Sequence, residues 1–330
     1  MRLDRDRRRR LVASLGLALL IAGVAPPRAA FAQTGEVAGM ITEIKLGKGA
    51  VEVKPAGGPD WRPGGPLMSL LGGDTVRASG GGSAVILLTG GRGTIRVESN
   101  AGPVVVPGPQ AGEGKVQKAQ ALLSASLGFL SSRAKEMPQA VLGTRSWLKP
   151  PVVLAPRNGP VLADALRFEW WGSRISRYTI QIAGPSGVVL ERAGVTGARL
   201  DYPADAPPLF PGVRYTVRVS TEGQPPQEAW FEVLSPERTR EVRASLTALE
   251  QEAGTAAPSN TLVALRAGFL AQQGLVHEAR RAVLAALAKD PEEPTLHLLL
   301  GNLYSQSGLP EQAHQSFDEA RFLMGGKLRR

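Results

Sequence analysis

Past residue 35 the chain changes its apolar spacing several times, and the changes divide it into segments. From Val37 to Val97 apolar residues alternate in short runs broken by glycine: Val37-x-Gly39-x-Ile41, Ala50-Val51-x-Val53 and Thr94-Ile95-Arg96-Val97. A period of two marks half-buried strands. Ser83-Ala84-Val85-Ile86-Leu87-Leu88 is the most apolar of these runs, and Gly90-Gly91 after it predicts a tight turn. The spacing turns helical at Val116, Ala119, Leu122, Leu123, Leu127 and Leu130, which predicts an amphipathic helix ending near Lys135. Alternation returns at Phe168-x-Trp170, Tyr178-x-Ile180-x-Ile182, Tyr215-x-Val217-x-Val219 and Phe231-x-Val233. From Glu237 onward the chain reads as helix, with Val242, Leu246 and Leu249 on one side.

The resulting expectation is a multidomain α+β chain. Residues 1–32 form an export signal, 33–106 an all-β domain, and 107–150 a linker carrying one helix. Residues 151–235 form a β-sandwich, and 236–330 a helix followed by two helical hairpins, 260–293 and 294–327. The hairpins come from self-similarity. Gly274-Leu275-x-x-Glu278 matches Gly308-Leu309-x-x-Gln312 at an offset of 34 residues, as Ala279 matches Ala313, Ala286 matches Ala320, and Ala267 matches Gly301. Small residues let two helices approach closely, and a glycine ends the first before the turn. A 34-residue period of this kind resembles the tetratricopeptide-repeat family.

That resemblance implies protein binding through the first helix of each repeat. The groove positions hold Thr261, Ala264, Gly268, Ala271 and Gln272 in the first copy. The second supplies Thr295, Leu298, Asn302, Ser305 and Gln306. Gln272, Leu298, Asn302 and Gln306 are the candidate binding residues. Asn302 stands where relatives bind a peptide backbone, but Ala264 and Leu298 occupy the usual lysine position. The expected ligand is therefore an uncharged protein surface.

The first β-segment resembles the FecR-type periplasmic β-domain at Gly49, Val51, Leu70, Gly73, Asp74, Val76, Gly82, Ala84, Ile86 and Leu88. It departs from that pattern at Ala78 and Gly90. The anti-sigma segment of the namesake regulators has no counterpart ahead of it, so direct transcriptional control does not carry over. In the second β-segment, Leu209-x-Pro211-Gly212-x-x-Tyr215 resembles fibronectin type III and immunoglobulin-like sandwiches, where such a tyrosine bonds back to the preceding turn. Adjacent strand residues face opposite sides, so Trp170 is expected in the core with Phe168 and Trp171 outside. Trp171 then either packs on a neighbouring domain or stacks a sugar ring. Trp61 and Trp147 carry the same two readings.

Composition narrows the function. The basic start Met1–Arg10, the 14 apolar residues Leu11–Val24 and Ala30-Phe31-Ala32 have the three parts of an export signal. Cleavage near Ala32 and a periplasmic or secreted product are expected, with membrane contact only through the signal. The 330 residues carry a net charge of +10, and half of that lies in residues 1–32, which speaks against a nucleic-acid partner. There is no cysteine, so disulfides and thiol chemistry are excluded. His277, His297 and His314 do not fall at metal-ligand spacing, and no phosphate loop, dinucleotide fingerprint or nucleophile elbow occurs. The expectation is a cofactor-free, metal-free, non-enzymatic envelope scaffold that binds proteins. The alternatives are a peptidoglycan- or polysaccharide-binding envelope protein and a FecR-like sensor of an outer-membrane receptor.

Overall fold

A computed structural model describes residues 36–108, 117–134, 150–162, 166–254 and 256–325. The expected export signal, Trp147 and most of the connector before residue 150 lie outside them. The described residues form an α+β fold of 16 strands and six helices, with four sheets and no closed barrel.

The first eight strands are β1 (Val37–Lys45), β2 (Val51–Lys54), β3 (Arg62–Pro63), β4 (Ser69–Leu71), β5 (Thr75–Ala78), β6 (Ser83–Leu88), β7 (Thr94–Glu98) and β8 (Val104–Val105). They make two antiparallel sheets, ordered β4-β1-β6-β7 and β3-β2-β5-β8. Ile41, Ile44, Val51, Val53, Leu70, Val76 and Ile86 fill the space between the sheets. The Asp74 side chain is buried and closes this module, accepting the amides of Ala56 and Leu71, each at 2.9 Å. Met40, Leu67 and Leu87 point the other way, into a core shared with the helices. The sheet containing β1 and β6 is therefore covered on both faces. This is why Ala84 to Leu88 are buried without a break.

Helix α1 (Gln117–Ala134) follows, and then a second pair of sheets. Its strands are β9 (Val152–Ala155), β10 (Gly159–Val161), β11 (Arg167–Trp171), β12 (Arg177–Gly184), β13 (Gly187–Thr196), β14 (Arg199–Asp201), β15 (Arg214–Thr221) and β16 (Gln227–Val233). The sheets run β14-β11-β9 and β10-β16-β15-β12-β13, antiparallel except where β10 joins β16. Here the alternation is clean: in β12 Tyr178, Ile180 and Ile182 are buried and the residues between them are not. Phe168, Trp170, Tyr178, Tyr215 and Phe231 pack in the middle, with ring pairs 5.5–5.6 Å apart. The Tyr215 hydroxyl accepts the Phe210 amide at 2.8 Å, a bond back to the preceding turn.

The remaining helices are α2 (Pro236–Ala253), α3 (Ser259–Gln272), α4 (Val276–Leu287), α5 (Pro294–Gln306) and α6 (Pro310–Leu323). Ser235 caps α2 by accepting the Arg238 amide, and Pro236 sits where its missing N–H costs nothing. Leu123, Leu127 and Leu130 of α1 join the helices and three residues of the first β-module in the largest core. No described helix is long and apolar enough to cross a membrane.

Candidate protein-binding surfaces

The helices α3 to α6 make two pairs in one register. Leu275 N–H bonds the Leu270 carbonyl at 2.8 Å, and 34 residues on Leu309 N–H bonds Tyr304 at 2.9 Å. Gly274 and Gly308 each take φ above +70°, which reverses the chain after α3 and after α5. Packing inside the pairs differs by one exchange. An added Cβ at Gly301 would lie within 2.9 Å of three ring carbons of Phe317. The matching positions in the first pair hold Ala267 and Val283, so a methyl gained on one helix is balanced by a smaller side chain on the other.

The face of α3 and α5 expected to receive a partner is covered from within the chain. Helix α1 lies on it, and the Leu130 side chain stands over Gly268, where an added Cβ would come within 3.0 Å of its branch. Asn302 and Gln306 line a small gap with Phe129 and Leu130. Leu298 is buried, Gln306 donates to the Ala271 carbonyl at 3.3 Å, and Gln272 is exposed at the end of α3. The Asn302 amide nitrogen is buried with no partner. Strand β1 covers the N-terminal ends of the same helices. A bulge lets Thr42 leave the ladder and meet the Thr261 hydroxyl at 2.9 Å. The next residue, Glu43, accepts the Thr261 amide at 2.8 Å and so caps α3 from outside. Beyond the pairs, the exposed side chains of α6 are polar apart from Pro310 and Phe322.

Two carboxyl groups join the modules, Glu293 fully buried and Glu278 half-buried with its Oε2 atom enclosed. Glu293 caps α5 by accepting the Thr295 amide and also accepts the Ile44 amide of β1, at 3.2 and 3.1 Å. Glu278, in the first turn of α4, accepts the Leu162 amide just past β10 at 2.7 Å. Burial pushes both up to about 7. Around Glu278 the joint continues with Arg280, buried and bonded to Glu169 of β11 at 2.7 Å, its guanidinium 5.4 Å from the Tyr304 ring. Burial drives His277 down to about 3, helped by Arg281 and Arg280, and both its ring nitrogens lack partners. Arg157 donates to the Ser307 carbonyl at 3.0 Å.

Exposed apolar groups gather on the second β-module, at opposite ends of β12. At one end stand Trp171 (47 % exposed) and Ile175 (95 %). At the other, Phe210 (65 %), Val188, Pro207 and Pro208 line an open cleft of about 350 Å³. Trp171 faces out while Phe168 and Trp170 face in. Trp61 is stacked under the Arg77 guanidinium at 4.0 Å. Sequence reasoning passed over Phe210, whose signal is an aromatic residue inside the run Pro207-Pro208-Leu209-Phe210-Pro211. Among the described residues no three His, Asp or Glu side chains gather in a way that could hold a metal ion. No protein-family model matches the chain, and no curated protein is found to be similar to it.

Proposed function

We propose that the protein is an exported, non-enzymatic scaffold of the cell envelope. Its parts are a FecR-like β-module, a fibronectin type III or immunoglobulin-like sandwich and a tail of two tetratricopeptide-like repeats. In this reading the tail is the hub to which the other parts are fastened, and partner proteins meet the sandwich. One observation carries the reading: α1 and β1 cover the repeat groove, while large apolar side chains stand exposed at both ends of the sandwich. Exposed apolar clusters of this kind mark contact surfaces. Binding through the repeats themselves is left to the exposed margin at Gln272 and Gln306.

Deleting the tail is a poor test, because its helices share one core with the first β-module. Point variants are better. Affinity purification from envelope extracts would compare the wild type with Phe210→Ser/Val188→Ser, with Trp171→Ser and with Gln272→Glu. A specific partner lost with a sandwich variant and kept with Gln272→Glu supports the reading. The same partners from all of them sink it. Trp171-dependent sedimentation of the purified protein with cell wall would favour the polysaccharide alternative instead.

A further inference from the structure

Among the contacts that join each β-module to the helices is a carboxyl group of the same design. Glu293 and Glu278 both stand at the start of a helix, and both accept a backbone amide from a β-module: Ile44 in one case, Leu162 in the other. In both the second oxygen, Oε2, is buried with no partner. The Thr295 hydroxyl beside Glu293 pulls its pKa down, as do the amides it accepts, but burial outweighs them. A buried carboxylate stripped of water on one oxygen is costly, far more so than a neutral acid left with one unpaired hydroxyl. The neutral acid keeps a carbonyl oxygen to accept the strand amide. We propose that these two carboxyl groups fasten the β-modules in their neutral form, so that loss of a proton from Glu293 or Glu278 loosens the joint it makes. The inference does not depend on what the protein binds.

The surrounding charges support this. Glu293 faces Glu43 and Lys45 on β1 and, across the turn before it, Asp290. Lys45 is bonded to Asp290 at 3.0 Å, which spends its charge, and Glu43 disfavours a second negative charge nearby. Polar Asn260 and Thr261 of α3 complete the site. Arg281 on the same helix is the charge that acts on Glu278, while Arg280 beside it meets Glu169 of β11 and Tyr304 of α5, and His277 faces Arg167 of β11. Arg280 is taken by Glu169, and Arg167 by Asp201 at 2.5 Å. Arg281 is exposed to solvent, which screens it. Lys45 is engaged chiefly by Asp290, and the pull of Arg281 on Glu278 is smaller than the effect of burial. In both sites burial raises the pKa to about 7, against an ordinary 4.5. A carboxyl group raised in this way favours the closed joint below the ordinary value. That advantage fades as pH climbs to the raised one.

The test is hydrogen exchange on the full-length chain at pH 6, 7 and 8, each value corrected for intrinsic base catalysis. Protection of the Ile44 and Leu162 amides should fall about tenfold between pH 6 and 8, the linkage expected for a group moving from an ordinary to a raised pKa. Amides in β12 and β15, inside the sandwich, should hold. Glu293→Gln should flatten the slope at Ile44 and leave Leu162 sloping, with Glu278→Gln doing the converse. If either variant fails to fold, the wild-type series still decides. Corrected protection that stays constant at both amides overturns the proposal. So does an equal loss in β12 and β15, which would report global unfolding.

Discussion

Gly301→Ala is the sharpest perturbation the repeat packing offers. The new methyl would stand within 2.9 Å of three ring carbons of Phe317, where carbon atoms settle at about 3.5–4 Å. Phe317 is 1 % exposed, so the ring has nowhere to go without moving α6. Overpacking of this kind costs about 1–3 kcal/mol, and the short contacts argue for the top of that range. Replacing a helical glycine gains back about 1 kcal/mol. The net expectation is a loss of about 2 kcal/mol in urea denaturation. Phe317→Val alone should lose about 3 kcal/mol through its cavity. The double variant recreates the pair Ala267 and Val283 of the first repeat, with the methyl filling part of that cavity. It should therefore be about as stable as Phe317→Val alone, leaving a favourable coupling near 2 kcal/mol. Strict additivity of the two losses would refute the claim that these repeats balance side-chain size across one helix pair.

Three further outcomes follow from the same contacts. Asp74→Ala leaves the amides of Ala56 and Leu71 without their acceptor in a buried site, so thermal unfolding should show a loss of about 2–4 kcal/mol, and Asp74→Asn a smaller one. His277 has a folded pKa of about 3 against 6.5 unfolded, so its stability contribution is intact above 6.5 and is lost as pH falls toward 3. His277→Leu should hence gain about 2 kcal/mol over the wild type at pH 5 and little at pH 7.5, measured by denaturant midpoints at each pH. Leu130→Ala should cost about 2–4 kcal/mol and open α1 to limited proteolysis, with cleavage within Gln117–Ala134 as the readout.

What the sequence disclosed depended on how many faces each element buries. β12 buries one face, so its alternation was plain, and Trp170 and Trp171 separated as the pleat demands. The run Ser83–Leu88 buries both faces of β6, which is why it read as uniformly apolar. That run announced a cover but could not say which helices supply it, because Met40 and Leu87 meet partners far away in the chain. The helix pairs were legible through the 34-residue offset, since each packs against its neighbour in sequence. The fate of the groove was not. Nothing in Gly268 declares that Leu130 will seat on it, since a glycine at a groove position reads equally as room for a guest or room for the chain itself. The carboxylate joints were silent for a different reason. A glutamate at the start of a helix is ordinary capping chemistry, and only the partner strand distinguishes Glu278 and Glu293 from any other cap.

These joints also explain why the helical tail cannot be a detachable accessory. Three helices, α3, α4 and α5, present their N-termini toward β-modules, and at each a carboxyl group links helix and module: Glu43, Glu278 and Glu293. One comes from a strand and two from the helices, so the contact does not follow from one repeated sequence motif. It follows from geometry, because the unpaired amides of a helix start need an acceptor, which a carboxyl oxygen from any neighbour supplies. An apolar joint would have allowed the modules to slide. A carboxyl oxygen that must reach both a helix start and one particular strand amide fixes the register to within a hydrogen bond. Slippage of β1 by one residue would take the Ile44 amide from Glu293 and the Thr261 amide from Glu43 together. The apolar core supplies adhesion, and the carboxyl groups determine where each module sits.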